Sequence, residues 1–333
     1  MLINPDFLAL EATLEQMYKE RLVDVPRCSF INSDAANVGT LTNAEALAMD
    51  FKHNLGLAAK YILNVNLLPF QLVILQMMWD KRFPLMVMTR GGGKTFILAV
   101  YASLLCILKQ GTKVVLVGAN FRQSQLIFEY VEHIFNTAPL FNQCCRISKQ
   151  PAKWVATVGT STITAVPLGH DGSTIRGLRA TCVIADEFAS INPEIFQVVV
   201  RGFAAVAKDP AKNVMERWKH KHLKNKGITL EDSDMSGNQI ILSGTAYYMF
   251  NHFFKTMERY DDIIKNKIDT EVEGAGGLID RLDYRDYGII QIPYTALPAG
   301  FMDITQIGQA KATMHPILFG MEYMAEFAGT TGG

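Results

Sequence analysis

The chain has 333 residues and equal numbers of basic and acidic side chains, 32 each, so its formal net charge is zero. Hydrophobic residues make up 49% and charged residues 19%, a globular balance that excludes extended disorder and allows one large domain or two smaller ones. Overall charge offers no argument for a nucleic-acid partner, which would need a local basic patch.

The longest apolar run, residues 96–108, is too short to span a bilayer, and Asn4, Asp6, Glu11 and Glu15 interrupt any leader-like apolar stretch. No membrane association and an intracellular setting are therefore expected. The five cysteines (Cys28, Cys106, Cys144, Cys145, Cys182) are odd in number and follow no zinc spacing. Cys106 and Cys182 read as core residues, and Cys144-Cys145 with His133 upstream is a weak metal signal.

In chain order, Asn4-Pro5-Asp6 is a helix start, and Phe7, Leu10, Leu14 and Met17 recur at helical spacing up to about Leu22. Thr42-Asn43-Ala44-Glu45 is a capping box that opens a second helix through about Leu63. Residues 1–66 are thus expected to form a helical segment packed on a core.

Pro69-Phe70-Gln71 follows, ahead of a helix over residues 72–79. The Gln71 amide can donate to and accept from one edge of adenine at once, with Phe70 packed beside the base. A surface glutamine in a first helical turn is the plain alternative.

Residues 85–87 then read as a buried strand, Met88-Thr89-Arg90-Gly91-Gly92-Gly93-Lys94-Thr95 as a glycine-rich turn, and residues 96–108 as a buried helix. Such a turn points backbone N–H groups at a phosphate with the positive end of a helix behind them. Lys94 would reach the β- and γ-phosphates of ATP, and Thr95 would offer its hydroxyl to Mg2+. The usual pattern begins with glycine, where this chain has Met88, so the P-loop is a deviant one that carries Arg90.

Residues 114–118 form a second buried strand, and Arg122-Gln123-Ser124 leads into a helix to about Phe135. Residues 154–158 and 162–166 read as a hairpin around Gly159-Thr160-Ser161. This alternation predicts an α/β fold with a mostly parallel central sheet flanked by helices.

A third buried strand ends in Asp186-Glu187. Ligands of parallel sheets sit at the strands' carboxyl ends, so both acids would face the P-loop, Asp186 holding magnesium and Glu187 orienting or deprotonating water. Just upstream, Arg176 is the candidate to stabilise a transferring phosphoryl group from a neighbouring subunit, with Arg179 in reserve; anchoring a loop by a salt bridge is the alternative for either.

Asn192-Pro193-Glu194 caps a further helix to about Ala207. Residues 208–226 are rich in Lys, Arg and His and precede the acidic Glu231-Asp232-Ser233-Asp234. They read equally as a phosphate-backbone contact or as a solvated insertion whose two halves face each other.

Residues 239–246 read as a strand ending in small hydroxylated residues, Ser243-Gly244-Thr245-Ala246; in motor ATPases such a strand lies beside the acid-bearing one, where Ser243 or Thr245 can hydrogen-bond near a γ-phosphate. An aromatic helix over 249–268, a loop at 274–277, a strand over 288–293, a helix through Lys311 and a last helix over 317–327 complete the chain, which ends in a linker-like 329–333.

The order Gln71, Arg90-Gly91-Gly92-Gly93-Lys94-Thr95, Arg176-Gly177, Asp186-Glu187, Ser243-Gly244-Thr245 and the closing residues 319–327 resembles the large terminase subunit of tailed bacteriophages, over about residues 55–328. The resemblance implies a P-loop NTPase core over 67–250 and a lid or linker subdomain over 251–328. It implies an ATPase motor that translocates double-stranded DNA into a procapsid as a homo-oligomeric ring on the portal protein, with a small terminase subunit, in the host cell cytoplasm. By the same resemblance, Gln71 reads adenine, Arg90 is the arginine this family often places in its P-loop, Lys94 and Thr95 bind phosphate and magnesium, and Arg176 acts in trans. Asp186 and Glu187 are then the magnesium-binding and catalytic acids, and Ser243, Gly244 and Thr245 the coupling motif.

The family's nuclease normally follows the glutamate-rich ending, where this chain stops, so no DNA cutting is expected from this polypeptide. A helicase-type translocase and a nucleotide-regulated assembly protein are the rival readings. The first lacks a second recognisable motor domain, and the second has no need of Glu187.

Overall fold

The structure, a computed structural model, describes residues 50–168, 178–197, 202, 238–274 and 278–329. The expected helix over 5–22, most of the second one, Arg176 and the basic stretch at 208–226 lie outside the described residues.

Eight strands form the central sheet: β1 (Phe83–Met88), β2 (Lys113–Val117), β3 (Cys145–Gln150), β4 (Lys153–Val158), β5 (Ser161–Ala165), β6 (Cys182–Ala185), β7 (Gln239–Gly244) and β10 (Tyr287–Ile292). Their order across the sheet is β10-β1-β7-β6-β2-β5-β4-β3. The pairings from β10 to β5 are all parallel; β4 and β3 close one end antiparallel. A separate antiparallel pair joins β8 (Thr270–Gly274) and β9 (Leu278–Leu282).

Parallel strands are buried on both faces, and here the alternation of side chains divides the core in two. Met86, Met88, Val114, Leu116, Ile184 and Ile241 face one layer, whereas Leu85, Val87, Val115, Val117, Val183 and Leu242 face the other. The first layer holds α1 (Leu55–Leu63), α2 (Pro69–Asp80), α3 (Lys94–Leu108), α4 (Phe121–Thr137) and α5 (Pro139–Cys144). Every residue of α3 from Ile97 onward is buried, which accounts for an apolar segment with no polar face. The second layer is covered by α6 (His252–Lys265), through Phe253 and Tyr260. Two short helices, α7 (Ile304–Thr313) and α8 (Pro316–Tyr323), form a small cluster of their own around Ile307 and Phe319.

Several elements differ from expectation. The second helix does not run unbroken to Leu63: Asn54 interrupts it and caps α1 by accepting from Leu57 N. α6 begins later than expected because the Asn251 side chain caps it at Phe253 N. α8 ends at Tyr323 rather than at 327, since Ala325 turns left-handed (φ 55°) and Glu326 N–H returns to the Gly320 carbonyl. β3 and α5 carry no strong sequence signal: β3 is mostly exposed and owes its form to pairing with β4. Residues 270–274 and 278–282, for which no strand was expected, pair as β8 and β9, so that Gly274 ends a strand; the rest of the expected loop, 275–277, lies outside the described residues. β10, which comes from the 251–328 stretch, pairs with all six residues of β1 and so forms the outer strand of the core sheet.

Candidate nucleotide site

β1 and α3 bracket the turn Thr89–Gly93 at the carboxyl edge of the sheet. Gly93 caps α3 with φ 81°, a left-handed conformation that side chains rarely adopt. Met88, where the usual pattern has its first glycine, is the last residue of β1, fully buried and paired with Ile292. The position is ordinary extended strand and needs no glycine.

Three elements converge on the first residues of α3. Lys94 Nζ lies 2.9 Å from Glu187 Oε1 and 3.2 Å from Thr245 Oγ1. Thr95 Oγ1 donates to Asp186 Oδ2 at 3.4 Å. The expected phosphate-binding, acidic and coupling residues therefore stand together where β1, β6 and β7 lie side by side.

Glu187 sits in the left-handed region (φ 48°), and its N–H donates to Asp186 Oδ1 at 3.0 Å. A non-glycine residue held there stores on the order of 1–3 kcal/mol, which the surroundings must hold in place. They do so from α6: His252 Nε2 meets the Phe188 carbonyl at 2.9 Å, and Asn251 Nδ2 donates to the Ala189 carbonyl at 3.0 Å. Gly244 completes the joint, because a Cβ there would stand 2.8 Å from Phe253 Cε1 and 3.4 Å from Phe188 N.

Burial pushes the Asp186 carboxyl above its ordinary range; the Lys94 ammonium pulls it down and the Glu187 carboxylate pushes it up. The Ser243 hydroxyl, itself fully buried, also favours the ionised form of Asp186, although it falls short of hydrogen-bond geometry. A buried carboxylate that resists ionisation, beside two hydroxyls, is an all-oxygen donor set with unmet demand for positive charge. Asp186 and Thr95 fit a magnesium ion on that ground.

At the other end of the cleft, Gln71 is the third residue of α2 and its Oε1 accepts from Leu68 N at 3.0 Å, closing the cap of that helix. Phe70 meets Phe301 edge-on at 5.3 Å between ring centroids. A Cβ at Gly93 would stand 3.5 Å from Phe301 Cζ and 3.6 Å from Gln71 Nε2, and one at Gly91 would stand 3.3 Å from Met302 Cε. The loop ahead of α7 thus lies over the glycines.

Arg90 is exposed and pairs with Glu322 of α8 at 3.3 Å. Arg90 N–H also donates to the Glu322 carbonyl at 2.8 Å, and Thr89 Oγ1 to the same oxygen at 3.4 Å. Phe301, Met302 and His252 had no sequence signal of their own, and Glu322 belongs to the closing 319–327 run but was given no part in the site; each reaches it from a distant segment.

Arg176 lies outside the described residues. Arg179 is exposed and precedes β6, with Thr181 N–H bonded to the carbonyl of Lys113 at the start of β2. It therefore stands at the amino edge of the sheet, away from the P-loop of its own chain. Among the described residues no group of three His, Cys, Asp or Glu is placed to hold a metal, and burial pushes the Cys145 thiol up to about 12, with Cys144 adding to it. Nor is any described helix long and apolar enough to cross a membrane.

No protein-family model matches the sequence, and no curated protein matches it. Solved structures do match by fold. The large terminase ATPase domain of Thermus phage P74-26 is 15% identical with a TM-score of 0.51, covering 81% of this chain and 97% of that one. The large terminase of bacteriophage HK97 is 14% identical with a TM-score of 0.53, covering 79% of this chain and 51% of that one. The large terminase of the thermophilic bacteriophage D6E is 9% identical with a TM-score of 0.51, covering 78% and 53%. This chain thus corresponds to nearly all of the Thermus-phage domain and to about half the length of the other two. The eight-stranded sheet with its P-loop edge is the fold of a phage large-terminase ATPase domain.

Proposed function

We propose that this chain is the ATP-hydrolysing motor domain of a DNA-packaging terminase, moving double-stranded DNA into a procapsid from the host cell cytoplasm. The observation that carries the reading is the convergence of Lys94, Thr95, Asp186, Glu187 and Thr245 at one carboxyl edge. The likeness of fold supports the packaging context; the portal protein, the small terminase subunit and a homo-oligomeric ring are the partners this reading takes. Residues 67–250 act as the ATPase core. Residues 251–328 act as a lid that brings Phe301, Met302 and Glu322 onto the P-loop while lending β10 to the sheet.

Lys94 is paired with Glu187, so ammonium and carboxylate neutralise each other. Triphosphate competes for the ammonium: as Lys94 turns to the β- and γ-phosphates, Glu187 is released to accept a proton from water. The water oxygen attacks the γ-phosphorus, the bond from that phosphorus to the β,γ-bridging oxygen breaks, and ADP leaves with that oxygen. Thr95 and Asp186 would hold magnesium, which would supply positive charge to offset that of the triphosphate. Thr245, bonded to Lys94, and Ser243, beside Asp186, tie loss of the γ-phosphate to β7 and from there to α6.

Glu187→Ala should lower turnover by roughly 10²–10⁴ while ATP still binds, read by phosphate release and by equilibrium binding. Unchanged hydrolysis would sink the assignment, and so would failure of double-stranded DNA or portal-bearing capsids to raise turnover. For the trans arginine, mixing Arg176→Ala with Lys94→Ala protein should restore activity at shared interfaces. Arg179→Ala in the same mixture decides between the two arginines.

A further inference from the structure

The Glu187 carboxylate is held by Lys94, and on the proposed mechanism that hold is given up when triphosphate arrives. The carboxylate is then aimed by its own backbone. That backbone lies in the left-handed region (φ 48°, ψ 48°), where a residue other than glycine stays only under constraint. The turn that follows, Phe188–Ser190, closes through Ser190 N–H to the Glu187 carbonyl at 2.9 Å and Ile191 N–H to the Phe188 carbonyl at 3.1 Å. A single turn of this kind is too short to be stable by itself.

The start of α6 supplies the support. Asn251 Nδ2 donates to the Ala189 carbonyl at 3.0 Å while its Oδ1 accepts from Phe253 N–H at 2.8 Å, so both ends of the amide are used. His252 Nε2 lies 2.9 Å from the Phe188 carbonyl; a carbonyl only accepts, so that nitrogen carries the hydrogen. The imidazole also meets the Phe188 ring edge-on, 4.7 Å between centroids. α6 is itself well seated: Phe253 is fully buried against Phe188 and Phe327, and Tyr260 meets Tyr287 of β10 edge-on. A functional group keeps its geometry when the residues behind it are locked by packing and hydrogen bonds.

We propose that Asn251 and His252 are positioning residues for Glu187: two donors at the start of α6 fix the consecutive carbonyls of Phe188 and Ala189, and through them the left-handed turn that aims the carboxylate. Their side-chain bonds run to that turn and to α6, so they bear on the rate of hydrolysis and not on nucleotide affinity. The inference rests on the reading of Glu187 as the group that accepts a proton from water.

The test uses the full 333-residue chain. Asn251→Ser keeps a capping oxygen for α6 but lacks the NH2, and His252→Phe keeps a ring against Phe188 but lacks the N–H. Each should lower kcat for ATP about tenfold, the worth of one hydrogen bond, with equilibrium ATP binding within about twofold of the parent. His252→Gln, whose amide can donate in place of Nε2–H, should recover most of the rate lost in His252→Phe. In a Glu187→Ala background the same changes should slow single-turnover phosphate release no further, because the group they position is gone.

Unchanged kcat in Asn251→Ser and His252→Phe, with Glu187→Ala slow as expected, would overturn the inference and leave the function standing. Weakened ATP binding, or a further loss in the Glu187→Ala background, would overturn it as well, since the two side chains would then support the fold at large. A rate that His252→Gln fails to recover would remove His252 from the role. Hydrolysis undiminished by Glu187→Ala would overturn both the inference and the function on which it rests.

Discussion

At the phosphate end of the cleft, the charged groups are held by other polar ones. Lys94 is engaged by Glu187 and Thr245, Thr95 by Asp186, and the Asp186 carboxylate by the backbone of Glu187. At the base end the contacts are apolar or fixed by backbone: Phe70 on Phe301, Met302 over Gly91, Gln71 on Leu68. The first end must exchange its internal partners when a ligand arrives, and the second is ready as it stands. On the proposed reading, one cleft combines a part that must rearrange for its ligand with a part already arranged.

If that contrast is right, the largest effects belong to the exchanging end. Lys94→Ala should lower kcat/KM for ATP by on the order of 10²–10³, because one preorganised donor to the transferring group is lost. A rate near the parent's would mean that the Lys94–Glu187 pair is only structural. Next comes Gly244→Ala, which drives a methyl group against Phe253 and the Phe188 backbone; it should destabilise by roughly 1–3 kcal/mol in urea titrations. No loss of stability would show that the Glu187 turn can shift freely.

Smaller still is the tie between P-loop and α8. A double-mutant cycle of Arg90→Ala and Glu322→Ala should give a coupling of roughly 0.2–1 kcal/mol, since Arg90 is exposed, and it should shrink as salt is added. Coupling that grows when ATP is bound would place Arg90 with the exchanging groups. The smallest effect concerns His252, whose imidazole burial holds below its ordinary pKa. The unfolded chain takes up a proton near pH 6.5 before the folded chain does, so stability should fall as pH drops through that value. A His252→Gln variant should flatten this part of the melting-temperature profile, and an unaltered slope would remove His252 from it.

The phosphate end was legible because its residues are written in short runs: a strand, a glycine turn and a helix carry Lys94 and Thr95, and an apolar strand carries Asp186-Glu187. Their mutual approach follows from the rule that parallel strands present their carboxyl ends together. The base end was legible only at Phe70 and Gln71, and nothing in the sequence showed that the Gln71 oxygen also closes the cap of α2. Glu322 stands 232 residues from Arg90, and no local periodicity reports a contact at that separation. β3 was missed for a related reason: Cys145-Arg146-Ile147-Ser148-Lys149-Gln150 has little intrinsic preference for a strand and takes that form from β4.

The pairing of β10 with β1 also sets how the molecule would bear force. The two strands run parallel, bonded from Phe83↔Tyr287 to Met88↔Ile292, and Thr89 N–H extends the ladder to the Ile292 carbonyl at 2.9 Å. A pull on the chain beyond Ile292, directed along the strands, loads these bonds together in shear instead of peeling them one at a time. Tension on α7 and α8 would then reach the P-loop through a stiff ribbon, and the glycines at its end would be the first place able to yield.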